Sequence, residues 1–283
     1  MTIRPAGAAL LGALLLPLFA CQLPTAAPTA TAEPPTSARP TASSTPPPTT
    51  ASPAATGTAT TRPGPQEAIF LRVPGPGSRA VSPLPVEGSA APTFEQNLVM
   101  RLLSFDGRVL AQGPLTIEAP LGERGPFTGE LTFEVSEQQP AALQVFSTSA
   151  RDGGITHLDA EIVTLLPGGE AEITAAEPAP ERIQIRAPEA GQVVEGGQVT
   201  VRGFGWASFE ATLVIEVHDA DGAVVGRAPV TVEAPDLGEP GPFEAQVSYS
   251  VTATGPGRIV VLDPSPAFGG PVHLNSVNVE LHP

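Results

Sequence analysis

The sequence predicts an all-β fold of two tandem β-sandwiches, which follow a signal peptide and a disordered linker. The chain of 283 residues contains 35 Pro and 29 Gly. Long helices do not tolerate that density, because Pro removes a backbone donor and Gly carries excess backbone entropy. Apolar residues still make up 41% of the chain, enough to form a core. A sequence pattern that recurs about 115 residues later divides the folded part into two similar halves.

The charged residues and the cysteine exclude several classes of function. The net charge is −15, and all 14 basic residues are Arg. Without Lys, the chain has no Lys nucleophile, no P-loop Lys and no Schiff-base chemistry. An acidic chain without a basic patch is a poor binder of nucleic acid, since affinity there comes from neutralising phosphates. A single Cys excludes disulfide frameworks and Cys-based zinc sites.

The N-terminus has the pattern of an export signal. Arg4 precedes an apolar run that ends at Ala20, and the run is too short to span a bilayer as a helix. Cys21, the only Cys, follows at once. This arrangement resembles the signal of bacterial lipoproteins, in which the Cys is lipidated and becomes the new N-terminus. We therefore expect a signal peptide over 1–20 and a lipid on Cys21; the alternatives are an ordinary signal peptide or an uncleaved anchor.

Residues 21–66 are predicted to form a disordered tether. They are almost entirely Pro, Thr, Ala and Ser, without a periodic apolar face that could offset the entropy of ordering. A Pro-rich segment of this length reaches on the order of 100 Å when extended. It would hold the folded part away from a membrane, either as a plain solvated tether or as a glycosylated stalk.

The internal repeat sets the domain boundaries at 67–167 and 181–283, with a short linker over 168–180. Several segments match in order and spacing: 69–72 with 183–186, 94–95 with 209–210, 106–107 with 221–222, and 125–127 with 241–243. Order and spacing hold across about 100 residues, the usual size of a β-sandwich domain. We expect each half to be a separate sandwich that folds by itself.

Each half is predicted to consist of short strands. Apolar residues alternate with polar ones at Leu131, Phe133 and Val135, and the same period of two recurs in the second half. The segment 219–222, which ends in Asp221-Gly222, lies between two apolar runs and predicts a tight turn with positive φ at the Gly. About seven strands per half, separated by Pro and Gly turns, favour a sandwich.

The residues of the first half resemble the Gmad2 domain, the immunoglobulin-like domain of bacterial spore germination. The resemblance rests on residues 82–88, on Phe94-Glu95, on Asp106-Gly107 and on 125–127. The second half differs at 194–197 but keeps Val201, Gly203, Phe209-Glu210 and 241–243. The resemblance implies two extracytoplasmic immunoglobulin-like sandwiches without catalytic residues.

The polar residues that recur in both halves do not form a catalytic or metal-binding pattern. His157 and His273 each follow a Gly-Gly turn without a second donor at ligand spacing, so we expect histidines at a loop edge or strand start rather than metal ligands. Asp219-x-Asp221 lacks the further oxygen ligands of a calcium loop and favours a hairpin. We therefore expect no cofactor, no metal and no catalytic residue.

The pairs Glu95 with Arg72 and Glu210 with Arg186 recur as well. The two Glu residues lie in different repeats, and a carboxylate pair for glycoside hydrolysis must share one cleft. The interpretations left open are an ion pair or a hydrogen-bonded corner within each sandwich, or simple solvated faces.

The sequence therefore predicts an exported, lipid-anchored protein that acts as a non-catalytic binding module of the cell envelope. Expected partners are the membrane, through Cys21, and a protein or neutral polysaccharide, since both halves are anionic. Candidate contact residues are Glu123, Phe127, Trp206, Glu239 and Phe243. The alternatives are that Gly-Pro-Phe only shapes a strand start and that Trp206 caps the core. A purely structural spacer and an envelope-polymer hydrolase are the alternative functions.

Overall fold

The computed structural model describes residues 65–283. The predicted signal peptide, Cys21 and the tether up to residue 64 lie outside the described residues. Residues 65–283 form sixteen β-strands and one short 3-10 turn, Phe94–Gln96. No helix among them is long and apolar enough to cross a membrane.

The first repeat contains eight strands, and the second repeats their order. The strands of the first repeat are β1 (Ile69–Val73), β2 (Arg79–Ala80), β3 (Leu84–Ala90), β4 (Asn97–Ser104), β5 (Val109–Thr116), β6 (Gly125–Leu131), β7 (Gln139–Thr148) and β8 (Ile155–Leu165). Those of the second are β9 (Ile183–Ala187), β10 (Val193–Val194), β11 (Gln198–Gly205), β12 (Thr212–His218), β13 (Val224–Thr231), β14 (Gly241–Ser248), β15 (Gly255–Pro264) and β16 (Pro271–Leu281).

Each repeat is a sandwich of two sheets. In the first, the order β1-β3-β6 forms one sheet and β5-β4-β7-β8 forms the other, with β2 added in parallel to β8. In the second, β9-β11-β14 and β13-β12-β15-β16 have the equivalent orders, with β10 parallel to β16. Each sandwich encloses its own apolar core, built from residues of both sheets. The predicted all-β fold of two tandem sandwiches is confirmed.

The alternating pattern forms strands because one face of each strand points into the sandwich. In β12 every second residue is buried, and in β14 Gly241, Phe243 and Val247 point inward. The predicted turn between β12 and β13 is present, with φ of +80° at Gly222. Asp219 Oδ1 accepts the N–H groups of Asp221 and Ala223, as a turn of this kind requires.

The two central strands, β7 and β15, are buried on both faces. The sequence predicts inward-facing residues such as Leu143 and Val145, but their neighbours Gln144 and Phe146 are buried as well. Phe146 belongs to a third apolar cluster, together with Leu158, Val260 and Leu274. This cluster joins residues of the two repeats, so the second face of these strands is covered by the other sandwich.

The two larger sheets join into one continuous sheet at β8 and β16. The strands pair antiparallel, with His157 opposite Asn275, Leu158 opposite Leu274 and Asp159 opposite His273. The expectation of separate sandwiches connected only by a linker is therefore corrected in one respect. Each repeat has its own core, but their edge strands share backbone hydrogen bonds.

The segment 168–180 packs on the first repeat through backbone hydrogen bonds, without forming a strand of its own. Arg79 and Glu172 exchange backbone hydrogen bonds, the Gly75 N–H donates to the Thr174 carbonyl, and the Ala176 N–H donates to the Arg72 carbonyl. Ile173 packs against the first core. The predicted linker is thus part of the first sandwich over most of its length.

Candidate functional site: the loop ends of the repeats and their buried junction

The most exposed large apolar side chains recur at equivalent positions of the two repeats. Leu121 and Leu237 are each 77% exposed, Phe94 is 63% exposed and Phe209 is 48% exposed. Single exposed apolar residues are common on soluble proteins. Their recurrence in both repeats is what distinguishes these four. We call the turn 94–96 with the loop 119–124, and the turn 209–211 with the loop 235–240, the loop end of each repeat.

Both phenylalanines precede a left-handed turn. Glu95 and Gln96 have φ of 54° and 57°, and Glu210 and Ala211 have φ of 48° and 51°. Left-handed backbone at a residue other than Gly costs on the order of 1–3 kcal/mol, and such strain is common at binding sites. The same strained turn is present beside the exposed Phe in both repeats.

Gln96 fixes the loop end of the first repeat. Its side chain is 3% exposed, and its Nε2 group donates to the carbonyls of Ala119, Pro120 and Glu123 at 3.3, 2.9 and 2.9 Å. Leu121 is therefore presented on a loop whose backbone is tied to the turn that carries Phe94.

Trp206 fixes the corresponding loop of the second repeat by another route. Ala211 occupies the position equivalent to Gln96 and has no amide. Instead the indole N–H of Trp206 donates to the Gly238 carbonyl, and the Arg182 guanidinium lies 4.9 Å from the ring centre. Trp206 is half-buried and holds the loop that carries Leu237 and Glu239. The two repeats thus hold the same loop with different side chains.

A second group of functional interest is the buried junction between the repeats, which is symmetric in its backbone contacts. Glu67 Oε2 accepts the Arg182 N–H at 2.9 Å, and Glu181 Oε2 accepts the Ala68 N–H at 2.9 Å. Glu67 and Glu181 occupy equivalent positions of the two repeats. Each carboxylate therefore caps the first strand of the other repeat.

His157 lies between these two carboxylates. Its Nε2 atom is 3.8 Å from Glu67 Oε1 and 3.7 Å from Glu181 Oε2, beyond normal hydrogen-bond distance. Burial alone would lower the pKa of His157, but the two carboxylates outweigh it and raise that pKa. Burial raises the pKa of Glu181 to about 7.

Asp159 and His273 form the other polar pair of the junction. His273 Nδ1 lies 3.2 Å from Asp159 Oδ1, and Asp159 Oδ2 accepts the Leu71 N–H at 2.9 Å. Burial raises the pKa of Asp159 to about 8. Burial, assisted by the positive charge of Arg182, lowers the pKa of His273 well below its usual value. Both shifts favour the uncharged forms of this pair.

Two further contacts connect the repeats. Arg258 is fully buried, and its Nη2 group donates to both carboxylate oxygens of Asp152, which lies in the loop between β7 and β8. On the other side, the rings of Phe105 and Phe268 stack with their centres 5.9 Å apart. Phe268 occupies the position of the second repeat that is equivalent to Asp152, so the two equivalent loops each contact the opposite repeat.

The sequence profile of the Gmad2 family, described as an immunoglobulin-like domain of bacterial spore germination, matches residues 68–154 and 182–270. The chain belongs to the Gmad2 family. The resemblance seen in the sequence is confirmed in both halves, and each Gmad2 domain is an immunoglobulin-like module of the binding or structural kind.

Other comparisons add no functional information. None of the curated proteins matches the sequence. A crystal structure of red sea bream transglutaminase is similar over 76% of this chain and 31% of that chain, at 12% identity and a TM-score of 0.26. A similarity this low carries no argument about fold or activity.

The two Gmad2 domains divide the predicted contact residues into exposed and buried ones. Glu123 and Glu239 are exposed on the loop ends. Phe127 and Phe243, however, are 0% and 2% exposed and belong to the two cores, so neither can contact a partner directly. The alternative holds for them: Gly-Pro-Phe forms the start of β6 and of β14.

The burial of Phe127 follows from the glycine opposite it. A methyl group on Gly88 would lie 2.1 Å from the Phe70 carbonyl oxygen and 2.4 Å from the Phe127 ring. Gly203 has the same relationship to Phe243, at 2.4 Å. The missing side chain leaves the space that each ring fills, which alternation within one strand does not reveal.

The proposed ion pairs of Glu95 and Glu210 are not present. Arg72 pairs with Glu87 across β1 and β3, and Arg186 lies over the Phe204 ring at 5.6 Å. Glu95 and Glu210 are exposed. Their recurrence belongs to the left-handed turn, since both hold its first left-handed position.

The histidines differ from expectation in their surroundings. His157 and His273 lie near the starts of β8 and β16, as predicted. Both are buried, however, and each faces a carboxylate that is not its neighbour in the sequence. Local spacing did not show Glu67 or Glu181 beside His157. The sequence did contain one signal for this cluster: Glu67 matches Glu181, and His157 matches His273, in the two repeats. Symmetric repeats that pair through equivalent strands bring such matched positions together.

Proposed function

We propose that the chain is a non-catalytic binding module of the bacterial cell envelope, exported and held at a membrane by a lipid on Cys21. The recurrence of exposed Phe and Leu on the loop end of both Gmad2 domains is the observation that supports binding. Gmad2 domains are of the bacterial extracytoplasmic type, in agreement with the export signal in the sequence.

The chemistry of the loop ends favours a protein or a neutral polysaccharide as partner. Leu121 and Phe94 offer apolar contact, and Glu123 adds a carboxylate beside them. Both domains carry an excess of acidic residues, so anionic nucleic acid and bare anionic headgroups are repelled. Two similar loop ends on one chain also increase avidity for a repetitive partner without any new contact.

The test compares paired substitutions in the full chain. The immobilised wild type and the immobilised double variant, Leu121→Ser with Leu237→Ser, are each exposed to envelope extract. Val109→Ser with Val224→Ser is the matched control, because these residues are also apolar, duplicated and each 51% exposed, but lie at the starts of β5 and β13. We expect the component retained by wild type and control to fall at least tenfold in the loop variant. Equal retention by all three would exclude the loop ends as contacts.

A second pair of substitutions tests the acidic side chains. Glu123→Gln with Glu239→Gln removes both charges without changing the loop backbone, since the bonds of Gln96 and Trp206 go to carbonyl groups. If this variant retains less of the envelope component, and if added salt causes the same loss in the wild type, the contact is a charged one. Retention of no component at all would favour a structural spacer. Turnover of an envelope polymer by the purified chain would contradict the non-catalytic function.

A further inference from the structure

We propose that Glu67, His157 and Glu181 bind one divalent transition-metal ion of the zinc type at the junction between the two Gmad2 domains. The three side chains come from distant segments and from both domains. An ion bound by all three would therefore connect the start of the first domain, β8 and the start of the second domain.

The distances suit ligation better than hydrogen bonding. One donor atom from each of the three residues lies within 4.8 Å of the others, and the two distances from His157 Nε2 are 3.7 and 3.8 Å. A hydrogen bond between N–H and O requires about 2.7–3.2 Å. Ligands that each stand about 2.0–2.2 Å from a zinc ion are separated by roughly 3.2–3.8 Å, as their bond angles dictate.

The imidazole nitrogen that faces the carboxylates has no partner. His157 is 8% exposed, and its Nε2 atom is buried without a hydrogen bond among residues 65–283. Buried polar atoms in native proteins nearly always have a partner, and an exception calls for an explanation. A metal ion between His157 and the two carboxylates would satisfy this atom and the oxygens together.

The carboxylates are held in place by the fold. The Arg182 N–H binds Glu67 Oε2 and leaves Oε1 directed at His157, while the Ala68 N–H holds Glu181 Oε2. Such outer contacts orient metal ligands in known sites. The ligand arrangement exists before an ion arrives.

The donor set selects the kind of ion. One imidazole nitrogen with two carboxylate oxygens suits zinc and neighbouring transition metals. Calcium and magnesium prefer oxygen ligands alone. In the metal-bound state His157 would be a neutral imidazole and both carboxylates would be ionised, so the ligands would carry two negative charges, which a dication neutralises. Arg124, whose Nη2 donates to the Glu67 carbonyl, is the nearby cation that shares this task.

The experiment measures zinc binding by the full chain after treatment with EDTA. A chromogenic chelator competes for Zn²⁺, and Co²⁺ absorption reports the coordination number. We expect one ion per chain, a higher melting temperature with Zn²⁺, and Co²⁺ bands of a four- or five-coordinate ion. Affinity should fall at least tenfold in His157→Ala, Glu67→Gln and Glu181→Gln.

The choice of the Gln variants and of a control histidine makes the test of metal ligation decisive. The Gln variants keep an acceptor for the Arg182 and Ala68 N–H groups, so they test ligation even if His157→Ala fails to fold. His218→Ala is the matched control, since His218 also contacts a carboxylate, Glu216 at 2.9 Å, but without a second acid. Binding below one ion per chain, binding unchanged by the Gln variants, or the spectrum of six-coordinate aqueous Co²⁺ would overturn the proposal.

Discussion

Leu158 lies directly opposite Leu274 in the antiparallel pairing of β8 with β16, and the two leucines occupy equivalent positions of the two Gmad2 domains. His157 faces Asn275 and Asp159 faces His273, so the pairing is symmetric about the leucines. In twofold-symmetric dimers, each contact between two positions is likewise matched by its reciprocal. The two domains of this chain therefore meet as the subunits of such a dimer do.

The leucine pair should contribute strongly to stability. Leu158→Ala leaves a cavity at a fully buried position between the domains, and we expect a loss of about 2–5 kcal/mol. Ile162→Ala, in the same strand but 36% exposed, should cost less than about 1 kcal/mol. Urea unfolding of the full chain measures both. Equal losses would show that the cluster between the domains adds no stability.

Each Gmad2 domain should fold by itself but melt at a lower temperature than the full chain. Each has its own core, which is sufficient for a cooperative unit. Separation, however, exposes Leu158 or Leu274 and leaves the edge strand β8 or β16 partly unpaired. Circular dichroism of 65–180 and 181–283 should give β-type spectra. A half without a cooperative melt would contradict the prediction that the halves fold alone.

The ion pair of Asp152 with Arg258 should stabilise the junction over a defined pH range. Asp152→Asn leaves Arg258 buried without its counter-charge, and we expect a loss of about 3–5 kcal/mol at pH 7. Glu87→Gln breaks the exposed pair with Arg72 and should cost about 0–1 kcal/mol. Urea unfolding compares the two variants with the wild type.

The pH dependence of that loss follows from the pKa of Asp152. Burial opposes ionisation, but hydrogen bonds from Arg258 and from the Gly154 N–H outweigh it and hold the pKa well below its usual value. A lowered folded-state pKa gives stability that is fully present above the unfolded pKa of about 3.9 and is lost as pH falls through the folded value. The difference between wild type and Asp152→Asn should stay constant from pH 7 to 5 and shrink below about pH 4. A difference that already shrinks between pH 7 and 5 would contradict this assignment.

Gln96 and Trp206 should each rigidify only the loop of their own domain. Gln96→Ala removes the amide group that donates to three backbone carbonyls, and should increase hydrogen exchange over 119–124. Trp206→Phe keeps an aromatic ring beside Arg182 but removes the N–H, and should increase exchange over 235–240. Stability should fall by about 1–2 kcal/mol in each case. If either variant increased hydrogen exchange in both loops, the prediction that each side chain rigidifies only the loop of its own domain would be wrong.

The lipid on Cys21 stays a prediction, because this residue lies outside the described part of the chain. Cys21→Ser should release the protein from the membrane fraction or leave an unprocessed precursor, since the thiol that carries the lipid is absent. Membrane fractionation and gel mobility of the variant and the parent measure this. Identical behaviour of the two proteins would rule out lipidation at this residue.

The sequence by itself determined the strands, the turns and the repeat. Alternation at Leu131 and Phe133 predicted two inward-facing residues, and both are buried, although β6 ends at Leu131. Asp221-Gly222 predicted a tight turn, because Gly accepts a positive φ at no steric cost. These features depend on residues close together in the chain.

Only the tertiary structure decided how the halves meet and which recurring residues are exposed. Backbone groups at the edge of a sheet accept any strand as a partner, so the side-chain pattern of β8 does not specify β16. Phe127 is buried because Gly88, distant in the sequence, leaves it space. His157 faces Glu67 and Glu181 because pairing of equivalent strands brings equivalent positions together. Contacts of this range arise from packing, which no local pattern encodes.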